Sequence, residues 1–159
     1  MSLEHLNMPK PPVKAVSYSK VKNFEKCPYK IFLSGVKHEK GPERDADHPA
    51  ERGERIHKEA ELYVQGAIEA LPASLKKFKD QFKELREGYD EGVIKVEDEW
   101  AFDTDWNVLD AWFGPDVWLR MKADAIEFFD TAGATIIDYK TGKKFGNEVP
   151  HTQQGQLYA

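Results

Sequence analysis

At Val93 the rhythm of this sequence changes. Before it, apolar residues return every three or four positions, as Ile56, Ala60, Tyr63 and Val64 and then as Leu75, Phe78, Phe82 and Leu85. These spacings predict two amphipathic helices, one starting at Gly53 and one over Pro72 to Tyr89, which Gly88 and Gly92 terminate. From Val93 the period is two. Val93 to Phe102 and Val117 to Phe129 alternate as strands do, and the short run Ala134-Thr135-Ile136-Ile137, entered through Thr131-Ala132-Gly133, reads as a buried strand hairpinned to its predecessor. Helices followed by strands must cover a sheet, so the expected fold class is α/β, a mixed β-sheet flanked by helices, with Val93 to Lys140 at its centre.

Around this frame the chain is punctuated. Residues 1–16 carry Pro9, Pro11 and Pro12 and are expected to be an extended or disordered lead-in to a single domain over 17–159. Ser17-Tyr18-Ser19 offers hydroxyl caps to a short helix through Val21, Phe24 and Glu25, which Pro28 breaks. Cys27, at that break, reads as a small buried residue. As the sole cysteine it excludes an internal disulfide. Val36 to Arg52 is a polar loop. No apolar run is long enough to span a membrane and Met1 to Pro12 lacks a secretory apolar core, so a cytoplasmic protein is expected. A net charge of −5 argues against coating nucleic acid by bulk electrostatics, yet an acidic site that holds cations still attracts phosphate locally.

The chemistry concentrates where the last strand ends, at Asp138-Tyr139-Lys140-Thr141-Gly142. Alternation puts Asp138 and Lys140 on one face and Tyr139 on the other. By itself this is an ion pair. In the hairpin, Asp124 lies beside the partner strand, with a register the sequence leaves open. Gly53, His57 and Glu61 stack along the edge of the first helix, where a lone histidine is ordinarily a structural or surface group and less often a ligand, and Gly53 permits close approach of backbone or phosphate. The basic residues Lys76, Lys77, Lys79, Lys83 and Arg86 read as a solvated face or as a surface for a nucleic-acid backbone. Hard oxygen donors, an imidazole and a lysine are together the parts of a divalent-metal phosphodiester site.

In order, the segments Ser17-Tyr18-Ser19 to Cys27-Pro28-Tyr29-Lys30, Gly53-x-x-x-His57, Arg120-Met121-Lys122-Ala123-Asp124, Asp138-Tyr139-Lys140-Thr141-Gly142 and Gln154-x-x-x-Tyr158-Ala159 resemble a RecB-type nuclease domain of the PD-(D/E)XK superfamily, in the short versions met in phages. The resemblance implies a restriction-endonuclease-like fold and a metal-dependent DNA exonuclease acting in recombination and repair within a bacterial or phage-infected cell. It implies that His57, Asp124 and Asp138 bind Mg2+ or Mn2+, with the Tyr139 carbonyl as a further ligand, and that Lys140 serves the nucleophilic water. Asp124, Asp138, Lys140 and His57 are then the catalytic set, Glu99 an additional acid, and Gln154 and Tyr158 residues that position DNA or brace the site. Glu97 shares the Glu99 face in principle. Met121-Lys122-Ala123 replaces the glycine common before the second aspartate, and the three further cysteines of iron-sulfur relatives are missing, so no cluster is expected. Relatives continue past the position of Ala159, which admits a truncated chain, a fragment or a compact variant completed by oligomerisation. The competing reading is a non-catalytic module of the same fold that binds DNA or a protein partner.

Overall fold

A computed structural model describes residues 13, 15–45, 48–130, 133–142, 146 and 148–158. Most of the expected lead-in, Lys143 and Lys144 lie outside the described residues. Tyr18–Lys26 (α1) and Pro28–Ile31 (α2) flank Cys27, whose extended backbone makes the break that Pro28 announces, and a π-helical turn, Phe32–Val36, follows. Cys27 is exposed, correcting the expectation of a buried residue: it lies between two short helices that bury none of their side chains. The helix expected from Gly53 starts four residues earlier, as Pro49–Val64 (α3), because His48 caps it through Nδ1 to the Ala50 N–H and Pro49 suits a first turn. The next helix opens as a 3-10 turn, Ala73–Phe78, and becomes α-helical over Lys79–Asp90 (α4).

Gly88 does not end α4. It is buried within it, and a Cβ there would stand 2.7 Å from Ile94 Cδ1, so the glycine lets the helix lie directly on the sheet. Gly92, at φ 79°, makes the turn instead. The strands are Ile94–Phe102 (β1), Val108–Leu109 (β2), Leu119–Phe129 (β3) and Gly133–Ile137 (β4), and Glu148–Tyr158 (α5) closes the description. Strand order is β2-β1-β3-β4, with helices flanking, as the α/β class requires. Neighbouring strands run antiparallel, β1 and β3 being tied by Trp118 N–H to Phe102 O and Phe128 N–H to Val93 O. Among the described residues the parallel component is one bridge, Val16 to Leu119. β4 is an edge strand, exposed at Gly133, Ala134 and Thr135, and so not the buried strand its apolar composition suggests. Among the described residues no helix is long and apolar enough to cross a membrane.

Two compact units emerge, Met1–Glu43 with Glu99–Lys122 and Arg44–Asp98 with Ala123–Ala159; β1 and β3 each run from one to the other. In the second unit the apolar stripes of α3 and α4 meet the sheet, with Ala60, Tyr63, Val64, Leu75, Phe82, Leu85, Ile94 and Ala125 buried together and Ile56, Val96, Ile137 and Tyr139 packed on them. Each large side chain fully buried there contributes about 1.5–3 kcal/mol. Of the basic residues on this stretch, Lys83 pairs with Glu87 at 3.4 Å, and Arg86 folds back over the Tyr63 ring to the Ile68 carbonyl. The first unit has a smaller core of Ala15, Ala101 and Val117, with Leu109 against it. Its β1–β2 turn is tied by Asp103, whose carboxylate accepts from the Asp105 and Asn107 N–H groups and the Asn107 side chain.

Candidate active site

The β3–β4 hairpin pairs Ala125 with Ile137 and Phe129 with Gly133. Carried one step further, that register sets Asp124 opposite Asp138, the relation alternation alone could not supply. The Tyr139 N–H donates to Asp124 Oδ2, while Asp124 Oδ1 meets His57 Nδ1 at 3.0 Å. The helix edge carrying His57 comes close here because Gly53, one turn earlier, lies against Thr141: a Cβ at that glycine would be 3.2 Å from Thr141 Oγ1. The Tyr139 ring turns to the other side, into the core, at 5.1 Å from the Phe82 ring and 6.0 Å from His57.

His57, Glu97 and Asp124 form one group, each offering a ligand atom within 4.8 Å of the others. Glu97 joins because its backbone is left-handed, φ 55°, which breaks strand alternation. Glu99 belongs to the first unit, where it faces Lys122 at 3.8 Å. The Asp124 hydrogen bond raises the His57 pKa against its desolvation, and the charges of Asp124, Glu97 and Asp138 add to the rise. Three carboxylates, those of Asp124, Glu97 and Asp138, thus act on this one imidazole. Two carboxylates suit a hard divalent cation such as magnesium or manganese, and the imidazole widens the set to transition metals. His57 Nδ1 and Asp124 Oδ1 share a hydrogen bond at 3.0 Å, a spacing that two adjacent ligands of one cation, about 2.1 Å from each, also adopt. The donor set therefore fits a divalent metal.

Asp138 lies outside that group and does something different. Its Oδ2 pairs with Lys140 Nζ, and its Oδ1 accepts from Gln154 Nε2 at 3.2 Å. Gln154, on α5, accepts from Lys140 Nζ through Oε1 at 2.8 Å and reaches the Tyr158 hydroxyl at 3.2 Å. One amide thus bridges the aspartate and the lysine and is itself steadied by Tyr158 one turn on. Of the three N–H donors of Lys140, these two partners occupy two, leaving one for a water or a phosphate oxygen among the described residues.

His57, Asp124, Asp138, Lys140, Gln154 and Tyr158, all singled out in the sequence, lie in the second unit and are linked by these contacts or, for Asp138 and His57, by the field between them. Glu97 is the addition that the sequence ranked below Glu99. Its only signal there is the acid run Glu97-Asp98-Glu99 in an otherwise alternating strand. The model of the PD-(D/E)XK nuclease superfamily matches residues 15–159. Neither the curated proteins nor the solved structures include a match.

Proposed function

We propose that this chain, which belongs to the PD-(D/E)XK nuclease superfamily, is a metal-dependent DNA nuclease that hydrolyses phosphodiester bonds as a RecB-type exonuclease. The observation that carries the reading is the Gln154 bridge. A lysine held to an aspartate by a third side chain is a positioned group, where a solvated ion pair would swing freely and gain little. We read both compact units as parts of one catalytic domain, since the family match spans them and two strands pass through each.

His57, Glu97 and Asp124 would hold Mg2+ or Mn2+; the family resemblance, and not their grouping, adds Asp138 and the Tyr139 carbonyl as further donors. When bound, the cation supplies Lewis-acid polarisation of the phosphodiester and charge against the developing negative oxygen. The chain's own groups do the rest. Lys140 Nζ presents its remaining N–H to the attacking water or to a phosphate oxygen, so the nucleophile is oriented before reaction. Asp138 and Gln154 fix that ammonium, and Tyr158 fixes Gln154. Asp124, through its contacts to His57 and the Tyr139 N–H, sets the spacing of α3 and the hairpin end. DNA is the substrate class, and the bacterial or phage-infected cytoplasm its setting.

The test is digestion of end-labelled linear and closed-circular DNA, single- and double-stranded, with Mg2+, Mn2+ or EDTA, beside the Lys140→Ala protein. Metal-dependent products from linear DNA alone, reduced by about 10²-fold or more in the variant, are expected. Equal cutting by wild type and Lys140→Ala would falsify the role of the lysine. A folded protein that binds DNA but yields no products with either metal would be the non-catalytic module instead.

A further inference from the structure

The first unit contains a cleft of about 540 Å³, lined among others by Lys20, His38, Trp112, Phe113 and Arg120. Its size is that of a small-molecule site. Two features separate it from an ordinary surface depression. The first is charge: Lys20 and Arg120 both line it, and no carboxylate does so among the described residues. The Lys20 ammonium is partly buried, donating to the Ala15 carbonyl at 2.7 Å, and burial followed by the Arg120 charge lowers its pKa. Two neighbouring cations in a half-enclosed space repel each other, and an anion between them relieves both.

The second feature is the aromatic wall. The Arg120 guanidinium lies 5.4 Å from the Trp112 ring centre and 4.9 Å from that of Phe113. The two rings stand nearly perpendicular, at 84°, and hold the guanidinium beside the cleft, where its N–H groups can meet a phosphate. Phe113 is 76% exposed, far more than a ring of this size gains from, so most of its surface is open to a ligand. Cations beside an open ring, within one cleft, match the two ends of a nucleotide, its phosphate and its base.

We propose that the cleft takes one nucleoside monophosphate unit, its phosphate on Lys20 and Arg120 and its base on the open Phe113 ring. The unit belongs to a nucleic-acid strand or is a free nucleotide, the recognition chemistry being shared. Choosing a nucleotide among phosphorylated aromatic ligands rests on the nuclease reading; the pairing of cations with open rings does not. Stacking of a base is sequence-tolerant, so the cleft would hold a strand without reading it.

The experiment is a fluorescence titration of the full chain in EDTA, by anisotropy of a short labelled single strand, with thymidine 5′-monophosphate, thymidine and inorganic phosphate as competitors. With no cation present a protein that never cleaves still reports on the cleft, so failure here is separate from failure of the nuclease assignment. Phe113→Ala, at an exposed position, is expected to weaken strand binding by roughly 10-fold. Lys20→Gln, which keeps a donor for the Ala15 carbonyl, is expected to reduce the slope of log affinity against log salt by about 0.7, one phosphate contact on a single strand. Competition by the monophosphate and not by thymidine assigns a free nucleotide as well; competition by neither, with both variants weakened, assigns the strand. Wild-type affinity and slope in both variants, no strand binding by the wild type, or thymidine competing as well as its monophosphate would each overturn the proposal.

Discussion

Tyr139 stands between two environments. Its N–H is held by the Asp124 carboxylate at the acidic edge, and its ring lies in the core against Phe82. Burial pushes its phenol pKa up, and the buried hydroxyl has no hydrogen-bond partner among the described residues. What the site asks of this residue is its backbone. Tyr139→Phe is therefore expected to keep the cleavage rate and to leave stability equal or higher by about 1 kcal/mol, since it removes an unmet polar group; urea unfolding measures the change. Gln154→Leu keeps much of the volume and deletes the bridge between Asp138 and Lys140. Cleavage at saturating DNA should fall by roughly 10–100-fold, with a folding midpoint close to wild type. Equal rates would mean that the ion pair positions itself. Asp103 gives the pH case. The Asn107 side chain, followed by the backbone N–H groups of the turn, holds its carboxyl below the ordinary value of 3.8. A lowered folded-state pKa stabilises the fold above the unfolded value and loses that contribution as pH falls through the folded one. NMR titration of the Asp103 carboxyl carbon should place its midpoint below 3.8, and Asn107→Ala should move it back up.

Among the elements, what the sequence revealed and what it concealed divide by physical cause. Helix and strand periods survive because burial of a face imposes them, so α3, β1, β3 and the hairpin are readable from spacing. Positions whose meaning depends on a neighbouring element are not. Gly88 looks like a terminator until Ile94 is seen beneath it, and Cys27 looks buried until α1 and α2 prove too short to cover it. Glu97 and Glu99 show the limit most sharply. Strict alternation gives both the same face, but the left-handed turn at Glu97 separates them, and no local residue pattern announces it. Glu97→Gln should weaken Mn2+ binding by about 10-fold or more in calorimetric titration. Glu99→Gln should leave it near wild type, since an exposed pair with Lys122 contributes little. Phe82 ties α4 to the motif through Tyr139. Phe82→Ala should cost about 3–5 kcal/mol by urea unfolding, the range for a buried aromatic.

For the molecule as a whole, the net charge of −5 and the phosphodiester chemistry are reconciled by where the acids sit. Glu97, Asp124 and Asp138 act on one imidazole, and a cation held there by the native state alone would couple metal binding to folding. At a cation concentration 100 times its dissociation constant, the native state should gain about 2.7 kcal/mol, seen as a rise in Tm that EDTA reverses. The Asp124→Asn protein should lack that metal-dependent rise, whatever its metal-free Tm. The anchoring of Tyr139 sets how this edge of the molecule moves. Strand ends usually fray, opening many times for each global unfolding event. Here the last peptide before the lysine is riveted through the sheet: its amide is clamped on one side and its ring is wedged between helices on the other. To loosen the edge that carries Asp138 and Lys140, the protein must first draw the Tyr139 ring out of its interior.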